Sequence, residues 1–515
     1  MEITIKISGP EAVPCAALLL MVPPVTAAQA PRLLNLPPSS RYLSAVQQRC
    51  HSGDFSGRAD EIHWLYPAEA PAQRLLLAGY GWREGEAEQR KSAPHLQQVI
   101  ANAVAACRKL GVPELCVPVA GGLADQFGLR QAGQLISEAA LLANYCFSKY
   151  KSKPAADDRP LRSLTLVAGS AADHAELEAG VKDGGLLAAW TNFARDLQNL
   201  PANALTPEMF AQMAQMKAAE SGLSCRVFDE KMIRELGMGA LLGVAQGSSN
   251  PPRFLVLETR APDDGNTVVF IGKGITFDSG GLSIKSAEAM EKMKYDMSGA
   301  AVALAATCCL AQLPERPSLV CLLPLAENMP GGHALRPGDV VTACNGKTIE
   351  VADTDAEGRL ILAEALAYAA RFKPVAVIDV ATLTGAVFSA LGEVAAGLIS
   401  NNPELAGRLK RAAAFTGERV WELPLYPDYL RNLESEIADI RNYPARKVGA
   451  GASHGAAFLS AFVNGYAWAH LDIAAVALQQ RNTTLCPSPA TGWGVRLLVQ
   501  MCREWQRERK TAVRR

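Results

Sequence analysis

The chain has 515 residues, 49% of them hydrophobic and 20% charged, the composition of a globular protein large enough for two to four domains. Its 51 basic and 51 acidic residues cancel. That balance excludes the uniform basic field of a nucleic-acid or anionic-membrane binder and permits self-association. Twelve cysteines are scattered without a CxxC pair, which rejects a zinc finger and reads as the reduced thiols of a cytosolic protein.

Met1 to Ile7 alternates as a strand does and carries no basic stretch ahead of an apolar one. The apolar run Ala16 to Met21 is short and ends at Pro23-Pro24. No segment reaches the ~18 apolar residues of a spanning helix, so the expected location is cytoplasmic, with no membrane partner. Leu75 to Gly81 predicts a buried strand and turn, His95 to Leu110 a helix, Leu115 to Val119 a strand and Ala132 to Tyr145 a helix. Lys151 to Arg162, polar with two prolines, predicts a surface loop, and Leu164 to Val167 a strand. Glu176 to Gln198 predicts a long helix linking two domains.

Beyond it, Phe254–Leu257, Thr267–Ile271, Ser318–Leu323, Val375–Val380 and Gly397–Ser400 predict strands. Ala300–Leu313 and Arg359–Arg371 predict helices between them. The fold class is therefore α/β in two domains. A smaller N-terminal α/β domain (residues 1–175), with assembly or regulation as its default expectation, is followed by a linking helix (176–200). A larger C-terminal α/β domain (201–515) is expected to hold a central mixed sheet flanked by helices and, by the resemblance given below, to be the catalytic one. Gly449 to Gly455 predicts a flexible loop, and the basic tail Arg503 to Arg515 a frayed helix end.

Two blocks carry chemistry. The first is Lys273-Gly274-Ile275-Thr276-Phe277-Asp278-Ser279-Gly280-Gly281, with Lys285 and Asp296 beyond it. The second is Asp353-Thr354-Asp355-Ala356-Glu357-Gly358-Arg359-Leu360. Hard divalent cations need oxygen ligands, and one carboxylate bridges two of them. A lysine ligates only as the neutral amine, and burial pushes it toward that form. A protonated Lys285 could polarise a carbonyl, and Arg359 offers a planar fork to an anion.

Each element has a bland reading as well. The acidic cluster would serve as a helix cap, Asp-Ser-Gly-Gly as a turn, and the lysines as solvated surface groups. In an extended segment Asp353, Asp355, Glu357 and Arg359 would share a face, and Gly358 would turn the chain into a helix. Cys344 to Thr348 imitates the end of a phosphate loop but lacks its first glycine, with Val341 there. No serine-hydrolase elbow forms around Ser279, and no H-E-x-x-H occurs. His454 and His470 read as core or supporting residues.

At these residues the chain resembles the leucyl aminopeptidase family, the M17 cytosol aminopeptidases, whose signature reads N-T-D-A-E-G-R-L. Ala194 to Leu197, Pro201 to Asn203, Asp379 to Gly385 and Trp468 to Ala474 extend the likeness over about residues 190 to 500. The resemblance implies a metal-dependent aminopeptidase, a homohexamer, and two divalent metal ions per subunit (zinc, manganese or cobalt). It implies Lys273, Asp278, Asp296 and Glu357 on the tighter metal, and Asp278, Asp355 and Glu357 on the exchangeable one. Lys285 becomes the electrophile, and Arg359 the holder of a bicarbonate acting as general base. Peptides with a free N-terminus are the implied substrates, with Met293, Thr382, Gly385, Ala474 and Ala477 around the side chain. Cys-Gly-type dipeptide selectivity and a separate DNA-binding role are alternatives, the second opposed by the zero net charge.

Two positions depart from the family pattern. Asp353 replaces asparagine, expected to tighten metal binding or raise the pH optimum. Ala477 stands where methionine is common, expected to widen the pocket for bulky apolar residues.

Overall fold

The computed structural model describes the whole chain except residues 10, 26–30, 82–91, 154–158, 260–264, 315, 447 and 514–515. The predicted loop Lys151 to Arg162 lies in part outside the described residues. The chain divides into two compact units: residues 1–189 with 481–488, and residues 190–480 with 489–515. The division falls inside the long helix Ala171–Asn199, between Ala189 and Trp190.

The first unit is built on a six-stranded sheet. Its order is Glu2–Ile7, Ser163–Ala168, Glu114–Pro118, Leu18–Val22, Leu75–Gly79, Ile62–Leu65. Only the last pair is antiparallel. The strand Leu18–Val22 is buried along its whole length, as expected of a parallel strand covered on both faces. The helix Ala93–Leu110 starts on Pro94 and stops at Gly111, whose φ of 73° supplies the left-handed cap.

The second unit carries a nine-stranded mixed sheet. Eight strands run in the order Val420–Glu422, Ala396–Ser400, Trp468–Asp472, Ala376–Ala381, Thr267–Gly272, Ser318–Asn328, Arg253–Thr259, Leu223–Phe228. The ninth, Gly274–Asp278, pairs with Ser318–Asn328. The four strands from Trp468–Asp472 to Ser318–Asn328 are mutually parallel. Val269, Ile271, Val320, Leu322 and Val377 enter one core with Leu360 and Leu366 of the helix Glu357–Ala369 and Phe458 of the helix Gly451–Ser460. The apolar helix Ser298–Ala311 packs on the same strands but takes no part in that core, so it covers the opposite face.

The predicted strands and helices of this unit are present, with ends shifted by a few residues. The Gly449 to Gly455 reading is corrected, because Gly451–Ser460 is a helix with Ala452 to Leu459 buried. Packing of small residues outweighs the intrinsic cost of glycine there. The common face assumed for Asp353 to Arg359 also fails: Asp353 to Ala356 turn, and the helix begins at Glu357. Cys344 to Thr348 connects the antiparallel strands Val340–Thr342 and Thr348–Glu350, a hairpin and not a phosphate loop. All twelve cysteines are free. Among the described residues no helix is long and apolar enough to cross a membrane.

Candidate active site

The site forms where central parallel strands end. Lys273 follows the strand Thr267–Gly272, and its N–H donates to Val380 O of the neighbouring strand at 3.0 Å. Its carbonyl accepts from Ala300 N at 2.8 Å, which ties it to the first turn of Ser298–Ala311. Asp278 ends the next short strand, and Gly280 and Gly281 take φ of 86° and 64° to turn the chain back. Asp296 stands two residues before Ser298–Ala311, while Asp355 and Glu357 stand at the start of Glu357–Ala369. Carboxyl ends of parallel strands and helix starts are where open α/β sheets place ligands.

Sequence-distant residues thus converge. Lys273 Nζ lies 2.8 Å from Asp296 Oδ2 and 2.8 Å from Glu357 Oε1, and donates to Thr382 O at 2.9 Å. Lys285 Nζ lies 2.8 Å from Asp278 Oδ2 and also pairs with Asp355. Ligand oxygens of Asp278, Asp355 and Glu357 all come within 4.8 Å of one another. Gly358 is not the turn expected of it. It sits inside the helix, where a Cβ would lie 2.4 Å from Lys273 Cε, so its role is to leave room for the lysine.

The charges do not balance. Four carboxylates, three of them buried, face two ammonium groups. Burial raises the Asp278 carboxyl, and neighbouring Glu357 adds to it. Burial likewise holds Asp296 well above the usual range, although Lys273 opposes it, and pushes Asp355 up to about 6 with help from Asp278. Glu357 is driven up by burial too, but Lys273 and Lys285 outweigh that and leave it below its ordinary value. For Lys273, burial favours the neutral amine, yet Asp296, Glu357 and Asp278 together hold its pKa above normal. Lys285 follows the same pattern with Asp278 and Glu357. Among the described residues Glu357 Oε2 is buried with no partner, while Asp296 Oδ2 and Glu357 Oε1 have only the Lys273 ammonium. Carboxylates that outnumber the two lysines, with Glu357 Oε2 reached by neither amine, fit divalent cations.

All twelve site residues named from the sequence line one cavity of about 1170 Å³: Lys273, Asp278, Lys285, Met293, Asp296 and Asp355, then Glu357, Arg359, Thr382, Gly385, Ala474 and Ala477. Thr382 does more than line it, because its hydroxyl donates to Asp296 Oδ1 at 2.7 Å. Arg359 is buried, donates from Nη1 to Asn442 O at 2.7 Å, stacks over Tyr443 and leaves Nε without a partner among the described residues. Asp353 accepts from Asp355 N at 2.9 Å, closing the turn.

Sequence reasoning missed two asparagines. Asn328 Nδ2 donates to Asp278 Oδ1 at 2.8 Å and to Thr354 O at 3.0 Å, joining the two acidic blocks. Asn442 Oδ1 accepts from Ala352 N at 2.7 Å, and Nδ2 donates to Asp353 O at 2.6 Å. Neither stands in a motif. His470 lies in the core, its Nδ1 2.5 Å from Asp379 Oδ1, whose other oxygen accepts from Trp468 Nε1 at 2.6 Å. His454 is buried on the cavity wall.

Residues 192–499 match the cytosol aminopeptidase family, catalytic domain, and residues 39–154 match its N-terminal domain. The chain belongs to the cytosol aminopeptidase family. A probable cytosol aminopeptidase of Roseiflexus castenholzii is 46% identical over 90% of this chain and 93% of its own. One of Geobacter sulfurreducens is 39% identical over 97% and 99%. Among solved structures, the bottromycin maturation enzyme BotP in complex with Mn superposes with a TM-score of 0.81 at 33% identity, over 96% of this chain and 100% of that one. The chain is thus placed among aminopeptidases.

Proposed function

We propose that the protein is a metal-dependent aminopeptidase that removes an N-terminal leucine or another bulky apolar residue from peptides. The convergence of Asp278, Asp355 and Glu357 beside two lysines carries this reading. Lys273, Asp278, Asp296 and Glu357 would hold one divalent cation, and Asp278, Asp355 and Glu357 a second. The manganese of the BotP complex and the carboxylate excess here support such loading. When bound, two cations and a bicarbonate at Arg359 would supply a water acidic enough to ionise near neutral pH and an acceptor for its proton.

The chain's own residues do the rest. Thr382 fixes the Asp296 carboxylate by its hydroxyl, and Asn328 fixes Asp278. Lys285, with its head group on Asp278 and Asp355, stands ready to donate to the scissile carbonyl oxygen as negative charge develops on it. Arg359, braced on Asn442 O, keeps Nε for an anion. Met293, Thr382, Gly385, Ala474 and Ala477 would surround the substrate side chain, with Ala477 leaving room for large ones. Assembly as a homohexamer belongs to the same proposal and is read by mass in solution.

The test is leucinamide hydrolysis after chelation and after return of Mn²⁺ or Zn²⁺. Loss on chelation and recovery with metal is the expected result. A folded, metal-loaded protein that leaves leucinamide intact would overturn the reading.

A further inference from the structure

One wall of the cavity is the first turn of the helix Gly451–Ser460, and that turn is uncapped. Its preceding residue, Ala450, has no side chain to accept a hydrogen bond and is held in the left-handed region at φ 49°. The N–H groups of Gly451, Ala452 and Ser453 have no acceptor within the helix. All three residues line the cavity, whereas Gly455, one turn further on, does not, so the positive end of the helix faces the open space.

A second observation points to a ligand there. Ser453 is 5% exposed, lines the cavity, and its hydroxyl makes no hydrogen bond among the described residues. The residue is packed on its other sides, so this hydroxyl is open only to the cavity and free to meet a ligand there. The other polar group in this turn is already committed: His454 Nδ1 lies 3.0 Å from Gly449 O and Nε2 3.0 Å from Asn432 Nδ2, which fixes the turn rather than serving a ligand. Arg446, five residues before the turn, also lines the cavity and has no ion-pair partner among the described residues.

The place is right for the far end of a short substrate. A Cβ on Gly455 would lie 3.7 Å from Arg359 Nη2, so the helix passes directly by the arginine. The uncapped turn begins about 6 Å up the axis from that point. One extended residue spans about 3.4 Å, so the turn lies within about two residues' reach of a bond cleaved beside Arg359.

We propose that the uncapped turn Gly451 to Ser453, with the Ser453 hydroxyl and Arg446, binds the C-terminal carboxylate of a dipeptide and makes the enzyme favour dipeptides with a free carboxylate. This rests on the aminopeptidase reading. The shared chemistry is that of an oxyanion, and the substrate's own carboxylate, not a free inorganic anion, is its source.

The experiment uses the metal-loaded enzyme and a pair of uncleavable probes, a reduced-bond Leu-Gly and its C-terminal amide, with dissociation constants from calorimetry. Leucinamide hydrolysis is measured alongside. The acid is expected to bind about tenfold more tightly than the amide, the scale of a partly buried helix terminus with one added donor. Ser453→Ala and Arg446→Met should each shrink that ratio, the serine variant by about threefold. Equal affinity of acid and amide overturns the proposal, whether or not inorganic phosphate alters it, since the turn then takes a free anion or none. A preference that survives both substitutions overturns it as well, because the carboxylate is then read elsewhere. If leucinamide is hydrolysed in these cases, the aminopeptidase reading stands. If neither probe binds and leucinamide is untouched, both fall together.

Discussion

Gly358→Ala should separate stability from activity. In most helices this change is favourable by about 1 kcal/mol, because alanine loses less backbone freedom on folding than glycine. Here the new methyl would stand 2.4 Å from Lys273 Cε, 2.6 Å from Nζ and 2.8 Å from Cδ. Carbon atoms pack at about 3.5–4.0 Å, so the lysine must retreat by about 1 Å. It has nowhere easy to go: its ammonium is held by Asp296, Glu357 and Thr382 O, and it is only 3% exposed. Overpacking of this kind costs about 1–3 kcal/mol, which the helix gain partly offsets. The net loss is therefore about 0–2 kcal/mol, a small shift in melting temperature.

The effect on function should be far larger. A displacement of about 1 Å in a group that organises the reacting centre costs on the order of a hundredfold in rate. The assay is kcat/KM for leucinamide with bound metal counted per chain and the thermal midpoint recorded. A variant with native turnover and native metal content would refute the argument, since it would mean that Lys273 can shift freely or has no part in the site.

Glu364 supplies a pH prediction away from the cavity. It is fully buried, and accepts from Ala240 N and Cys344 N, each at 2.8 Å. Burial pushes it up to about 7 against these donors. The folded carboxyl thus holds a proton that the unfolded one has lost, so its contribution is full below pH ~4.5 and fades as pH rises through ~7, on the order of 3 kcal/mol in all. Glu364→Gln should therefore be costliest near pH 5 and less so near pH 8, by about 2.5 kcal/mol since part is already lost at pH 5, seen in urea midpoints. A pH-independent difference would count against the shift. Thr382→Val removes the hydroxyl on Asp296 but keeps the carbonyl that receives Lys273. With Asp296 in its proposed role as a metal ligand, loss of this orienting bond should weaken metal affinity or kcat about 10–100-fold with little change in melting temperature. Unaltered metal titration and turnover would show that Asp296 is held without it. Asp353→Asn keeps an oxygen for Asp355 N, so the turn should persist, while metal affinity falls through loss of a nearby negative charge. Equal metal titrations for the two proteins would rule out that electrostatic role.

What the sequence disclosed and what it hid follow from the range of the interactions. Lys273 to Gly281 and Asp353 to Leu360 were legible because their spacing along the chain carries the chemistry. Their strands were legible too, since Thr267–Gly272 and Ala376–Ala381 are apolar throughout and buried throughout. Asn328 and Asn442 were not. Their partners lie 50 and 89 residues away, and a lone amide leaves no local pattern. Gly358 was misread for the same reason: the clash that requires glycine comes from Lys273, which only the folded chain brings near. Gly449 to Gly455 has loop composition, and only burial of Ala456, Ala457 and Phe458 in the core makes it helical.

The energetics of the cluster argue that it exists for chemistry. Breaking a buried ion pair is severely destabilising, but replacing the whole arrangement with packed apolar residues is commonly neutral or stabilising by about 1–4 kcal/mol. Lys273, Asp278, Asp296 and Glu357 are all buried, and the carboxylates beside them exceed the ammonium groups. A core of valine and leucine between the same strands would hold the sheet at least as well. The surrounding scaffold shows the investment: Asn328, Thr382 and the backbone of Val380 and Ala300 each hold one of these charged residues in place. A cluster that disfavours folding yet is fixed from several sides stabilises something other than the chain. Divalent cations are the partner that turns its excess charge from a liability into binding energy.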